Sequence, residues 1–272
     1  MLSEERFDTG AVVLNYAVDR ADGPPLVLLH GVTNCWQGWL PVAPSLVQRW
    51  RLYAPDLRGH GRSGHTPGAY SIPEYAADIV ALLREVIGTP AVLVGHSLGA
   101  IIAVAVAAAA PEQVAAVVLE DPPLAAFRGT PFGDRPEHDY FVAMRDLAAS
   151  GRSIPEIAAI LGAQSPNTDA VALHAHASRL ARLDPDVLDL IVNDRAIGTY
   201  DQDACLRAIA SPTLLLQADP AAGGALGDAD AERAAELLPQ GTLVRLPGIG
   251  HGIHGDIPAR FTRLVHDFLE FR

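Results

Sequence analysis

Residues 91–110, AVLVGHSLGAIIAVAVAAAA, constrain this chain more than any other stretch. A short β-branched apolar run meets Gly95-His96-Ser97-Leu98-Gly99, then passes into a small-residue apolar segment that stops at Pro111. That pattern reads as strand, tight turn and buried helix. A serine at the apex of such a turn is held in strained backbone geometry. The positions two before and two after it must be small, because a side chain there would strike the neighbouring strand or helix. Gly95 and Gly99 fill those positions. The turn lifts the hydroxyl above the sheet edge, and the N–H groups at the helix start point toward whatever its oxygen attacks.

Around this unit strand and helix alternate. Residues 11–18 form an early strand, and the wholly apolar run 26–29 is a central one that ends in His30-Gly31-Val32-Thr33. A helix at 41–49 and a strand at 51–54 lead to the polar loop Asp56-Leu57-Arg58-Gly59-His60-Gly61-Arg62-Ser63. Ser71-Ile72-Pro73-Glu74 has capping-box spacing and opens a helix whose Tyr75, Ile79, Leu82, Leu83 and Val86 share one face. Strand 114–119 runs into Glu120-Asp121-Pro122-Pro123. From 124 to 204 helical segments then follow one another without strands, near 137–149, 154–161, 168–183 and 186–194. This stretch is expected to be a helical cap inserted between two parts of one core domain, 1–123 and 205–272. Strands at 213–217 and 242–246 flank a helix at 229–238. A last helix places Phe261, Leu264, Val265, Phe268 and Leu269 on one face.

Composition narrows the function classes. With 272 residues, 49% hydrophobic and 19% charged, the chain can bury a full α/β core. Its net charge of −12 disfavours a nucleic-acid or anionic-membrane partner, since both need a basic footprint. The first ten residues lack the basic-then-apolar order of a secretory signal, and the apolar run 98–110 is too short to span a bilayer. Cys35 and Cys205 lie far apart without C-x-x-C spacing, so reduced thiols and a cytoplasmic setting are expected.

Ser97 is a weak nucleophile by itself and requires a base and an orienting carboxylate. His251, in the glycine-flanked loop Pro247-Gly248-Ile249-Gly250-His251-Gly252 just after the last strand, is the expected base. Asp219 lies between serine and histidine in chain order and is the expected acid, able to fix the tautomer of the imidazole. Glu120 and Asp121, at the end of the strand after the nucleophile, are the alternatives, and Asp228 is a weaker one. The amides of Leu98 and Val32 are the expected donors to an oxyanion, and His30 is expected to brace the Val32 turn.

His30-Gly31, Asp56-Leu57-Arg58-Gly59-His60-Gly61-Arg62-Ser63, Gly95-His96-Ser97-Leu98-Gly99 and Gly250-His251 resemble, in order and over nearly the whole chain, the motifs of the α/β-hydrolase fold family. The resemblance implies a mostly parallel eight-stranded sheet flanked by helices, a helical cap after the sixth strand, and acyl transfer to Ser97. One departure concerns the acid loop: members commonly carry a glycine shortly before the acid, and Gln217-Ala218-Asp219-Pro220 has none. The serine excludes the relatives that use an aspartate nucleophile, the haloalkane dehalogenases and epoxide hydrolases.

Other signals are weaker. Gly59-His60-Gly61-Arg62-Ser63-Gly64 matches a dinucleotide fingerprint, but Thr66-Pro67-Gly68 stands where its helix should begin. His174 and His176 point to different faces of a helix, and no ligand cluster completes a metal site. No cofactor and no metal are therefore expected. Trp36 and Trp39, and Tyr140, Phe141 and Met144 on the first cap helix, are candidates to line the acyl pocket, with Trp36 and Tyr140 taken as substrate-binding. The expected activity is that of a cofactor-free serine hydrolase acting on a small to medium hydrophobic carboxylic ester or lactone. Carbon-carbon bond or amide cleavage on the same triad is the alternative; a non-catalytic ligand-binding protein and a cofactor-free peroxidase stand behind it.

Overall fold

In the computed structural model, which describes residues 2–19, 22–127, 132–135, 137–195 and 200–270, the chain is built on an eight-stranded sheet. The strands are β1 (Ser3–Asp8), β2 (Val13–Val18), β3 (Pro25–Leu29), β4 (Arg51–Pro55), β5 (Ala91–His96), β6 (Val114–Glu120), β7 (Thr213–Ala218) and β8 (Gly241–Leu246), in the spatial order β1-β2-β4-β3-β5-β6-β7-β8. β1 and β2 pair antiparallel, as do β2 and β4, and the other neighbours are parallel. β5 is central, with Gly95 opposite Leu29 on β3 and His96 opposite Glu120 on β6. A strand covered on both faces is apolar throughout: Leu93 packs into one layer and Val92 and Val94 into the other.

The helices are α1 (Ala43–Leu46), α2 (Ile72–Leu82), α3 (Leu98–Ala109), α4 (His138–Ala149), α5 (Ile154–Gln164), α6 (Ala170–Leu180), α7 (Pro185–Val192), α8 (Gln202–Ala208), α9 (Asp228–Leu237), α10 (Ile253–Asp256) and α11 (Pro258–Glu270). α1 and α11 cover one face, where Phe261, Val265 and Phe268 are buried beside Trp39 and Leu46. Each such side chain contributes about 1.5–3 kcal/mol of burial. α2, α3, α8 and α9 cover the other. α3 is buried at every position from Gly99 to Ala107, so its small side chains let it lie close on the sheet. α2 begins at the expected capping box, where the Ser71 amide donates to the Glu74 carboxylate at 2.8 Å.

β1 was not expected. Its sequence, SEERFD, is charged and lacks an apolar stripe, because an edge strand is held by backbone pairing and charges on it discourage pairing with another chain. Between β6 and β7 the described residues form α4 to α8 without a strand. The expected domain boundary at 204/205 falls inside α8, which packs on α3 and α9. α4 to α7 pack on one another instead, α4 against α7 and α5 against α6. Among their ties to the 56–70 loop, the Asp184 amide donates to the Gly59 carbonyl at 2.8 Å, and the Tyr70 hydroxyl donates to the Asp184 carboxylate at 2.5 Å.

Candidate active site

Ser97 occupies the turn between β5 and α3 with φ 54° and ψ −117°, a conformation that L residues seldom adopt. The two glycines explain how it is accommodated. A Cβ on Gly95 would lie 2.3 Å from the Gly99 carbonyl oxygen, and one on Gly99 would lie 2.0 Å from that of Leu29. The turn is tied to the next strand through the Ser97 amide, which donates to the Glu120 carbonyl at 3.0 Å.

The expected base and acid do not meet. Asp219 caps a short turn, accepting from the amides of Ala221 and Gly248 at 2.8 Å each. Those two amides, Gly248 foremost, hold its carboxyl below the usual range. Its own amide donates to the Ile249 carbonyl at 2.8 Å, so Asp219 braces the loop that carries His251 without contacting the imidazole. The carboxylate on His251 belongs to Asp121: Nδ1 and Oδ2 are 2.6 Å apart. Asp121 is fully enclosed, and its oxygens also accept from the amides of Ala218 (3.1 Å), Ala225 (2.7 Å) and Leu226 (3.3 Å). A buried charge requires such compensation. The loop that supplies those amides turns on Gly224, where a Cβ would lie 2.9 Å from the Ala218 carbonyl carbon. The usable sequence signal was the departure at 217–220 together with a carboxylate pair closing β6.

The neighbouring Glu120 has a different partner. Both its oxygens lie 2.9 Å from His254 Nδ1, and Oε1 accepts the His254 amide at 2.8 Å. Burial works to raise Glu120 and lower His254, yet their mutual attraction leaves Glu120 below and His254 above its ordinary value. Between this pair and His251 sits His96, whose Nε2 bonds the His251 carbonyl oxygen at 3.1 Å and whose ring centre is 4.6 Å from that of His251. Burial pushes the His96 pKa down to about 4, so a neutral imidazole joins the residue preceding Ser97 to the backbone of His251. Asp228, the weaker alternative, accepts from Gln217 at 2.6 Å.

The Val32 turn lies against the nucleophile: a Cβ on Gly31 would be 3.1 Å from the Ser97 Cβ. His30 braces it. Its Nε2 accepts from the Leu57 amide at 3.0 Å, which fixes the tautomer that donates from Nδ1 to the Gly31 carbonyl at 2.8 Å. Burial holds its pKa down to about 4, so the brace is uncharged. Leu98 is the first residue of α3, where the amide has no intrahelical acceptor. Asp56 knits the motif loop together by accepting from Trp36 N, Arg62 N and Asn15 Nδ2 at 2.8–2.9 Å, and a Cβ on Gly61 would meet its Cγ at 2.3 Å. Gly61 thus makes room for a carboxylate inside the chain, while Gly59 makes room for Tyr70 and Val187.

Of the two expected substrate-binding residues, Trp36 directs its indole N–H to Glu4 on β1 at 2.8 Å, four strands from β5, and acts as a prop for that edge. Tyr140 stands half exposed on α4 with its ring edge-on to Phe141. Among the described residues no group of three or more His, Cys, Asp or Glu could hold a metal ion, and no helix is long and apolar enough to cross a membrane.

The alpha/beta hydrolase fold family model matches residues 24–257. The chain belongs to this family. Its relatives include the 2-(acetamidomethylene)succinate hydrolase of Mesorhizobium japonicum, 27% identical over 97% of this chain and 94% of that protein. Among solved structures, the N-formylmaleamic acid deformylase from Pseudomonas putida superposes with a TM-score of 0.82 at 23% identity, covering 97% of this chain and all of that one. An N-acyl homoserine lactone degrading enzyme superposes at 0.77 with 25% identity, over 97% of this chain and all of that one.

Proposed function

We propose that this chain is a serine hydrolase that cleaves a carboxylic ester or lactone through an acyl-enzyme on Ser97. The observation that carries the reading is the 2.6 Å contact between His251 and the enclosed Asp121 carboxylate, with the His251 ring 4.6 Å from that of His96, the residue before a serine held at φ 54°. With Nδ1 committed to Asp121, the Nε2 of His251 takes the proton as Ser97 Oγ attacks the carbonyl carbon. The amides of Leu98 and Val32 hold the oxyanion. His251 then gives its proton to the departing alkoxide, which in a lactone stays attached to the acyl chain. A water deprotonated by His251 attacks the acyl carbon, and Ser97 leaves with that proton. α4 to α7 form the cap that sets substrate size.

The relative that degrades a lactone supports this substrate class. Turnover of p-nitrophenyl esters and lactones by wild type and Ser97→Ala tests it: activity in the first and none in the second is expected. Turnover that survives Ser97→Ala would overturn it.

A further inference from the structure

Arg179, on α6, has no counter-charge among the described residues. Its Nε is enclosed without a hydrogen-bond partner. Among the described residues the guanidinium forms no ion pair, although the described residues include all 32 Asp and Glu of the chain. Arginine does not shed its proton in proteins. A partly desolvated guanidinium is costly unless something pairs with it, and none of the Asp and Glu side chains does so.

Its position is near the Val32 loop and α4. The charge of Arg179 acts on His30 and Cys35 in the Val32 loop, on Tyr140 of α4 and on His176 one turn earlier on α6. That loop abuts Ser97 through Gly31. Burial, with Arg179 adding to it, lowers the His176 pKa to about 4. At neutral pH the guanidinium is therefore accompanied by a neutral imidazole and a protonated phenol, both hydrogen-bond donors. No carboxylate competes with an incoming anion.

We propose that Arg179 is the specificity-determining residue of this site, pairing with a carboxylate carried by the substrate, so that the ester or lactone opened at Ser97 is an anionic one. The proposal rests on the hydrolase reading above. It differs from the small to medium hydrophobic ester or lactone expected from the sequence by adding a negative charge. A planar guanidinium binds a carboxylate through two parallel N–H···O bonds, which orients the substrate as well as holding it; lysine supplies the charge without the fork.

The test compares matched esters that differ in one carboxylate: mono-p-nitrophenyl adipate beside p-nitrophenyl hexanoate, and 4-acetoxybenzoate beside phenyl acetate. In at least one pair wild type is expected to favour the anion at least tenfold in kcat/KM. Arg179→Gln is expected to lower that ratio by about 10- to 100-fold, chiefly through KM, and Arg179→Lys to restore part of it. A wild type with no preference in either pair, or a ratio unchanged in Arg179→Gln, would overturn the proposal.

Failure of the hydrolase reading shows separately, as no turnover of any ester. In that case calorimetric titration of Ser97→Ala with adipate and 4-hydroxybenzoate decides the anion site. Binding that disappears when Arg179→Gln is added supports it, and binding that persists, or no binding at all, overturns it.

Discussion

His251 and Asp121 are 2.6 Å apart, Nδ1 to Oδ2, although 130 residues separate them in the chain. The contact depends on where β6 stops. Asp121 follows the last residue of β6 with φ 45°, its amide donates to the Leu216 carbonyl of β7 at 2.8 Å, and its carboxylate is held between the end of β7 and the 223–226 loop. Asp219, one strand further along the sheet, faces the base of the same histidine loop. Two aspartates thus serve His251: Asp121 orients its ring, and Asp219 fixes the backbone that delivers it.

The glycines of the nucleophile turn are steric requirements. Gly99→Ala places a methyl 2.0 Å from the Leu29 carbonyl oxygen, where only backbone can give way. A loss of about 3 kcal/mol or more is expected in urea denaturation, together with loss of Ser97 reactivity. Gly255→Ala, where a Cβ meets nothing within 4 Å, is expected to keep the wild-type midpoint. Equal midpoints for the two variants would show that the turn relaxes freely.

The Glu120–His254 pair makes stability depend on pH. Glu120 is held below its ordinary 4.5, so its contribution is present above that pH and is lost as pH falls through the lowered value. His254 is held above its ordinary 6.5, so its contribution is complete below that pH and is lost as pH rises toward the raised value. The stability gap between wild type and His254→Leu, about 3–5 kcal/mol for a broken buried pair, should be widest between pH 4.5 and 6.5 and narrow on the alkaline side. Urea titrations at pH 5.5 and pH 9 measure it, and an identical gap at both would mean that the pair carries no charge.

Tyr70 ties the α6–α7 connection to the loop that follows β4. Its hydroxyl accepts from the Thr66 amide at 2.7 Å and donates to Asp184 at 2.5 Å. Tyr70→Phe leaves both short of a partner, which costs about 1–3 kcal/mol. Hydrogen exchange should quicken in α6 and α7 while the sheet keeps its protection. Unchanged exchange in those helices would show that they are anchored elsewhere.

Much of the fold is written in the sequence because burial leaves a pattern. The runs 26–29, 91–94 and 214–216 in β3, β5 and β7 are wholly apolar, and the capping box at Ser71 and the Phe261 stripe are local signals that tertiary packing did not override. β1 left no such pattern because it is paired through its backbone. At the site, Ser97 was legible because its strain demands Gly95 and Gly99 at fixed spacing. Asp121 was not, since Glu120, Asp121 and Asp219 all stand at strand ends on one edge of the sheet. Which of them meets His251 depends on how the 219–226 loop wraps. Arg179 was missed for a related reason: a basic residue on an amphipathic helix looks solvated until the neighbouring helices are in place.

The most direct measurement is the rate at which an aryl alkylphosphonate labels Ser97, followed by intact-mass spectrometry and peptide mapping in wild type, Asp121→Asn and Asp219→Asn. The account predicts one label on Ser97 in wild type, a rate lower by about 10³- to 10⁴-fold in Asp121→Asn, and a rate within about tenfold of wild type in Asp219→Asn, whose carboxylate binds only backbone amides. Equal labelling in Asp121→Asn with loss in Asp219→Asn, or no label on Ser97 in any of the three, would contradict it.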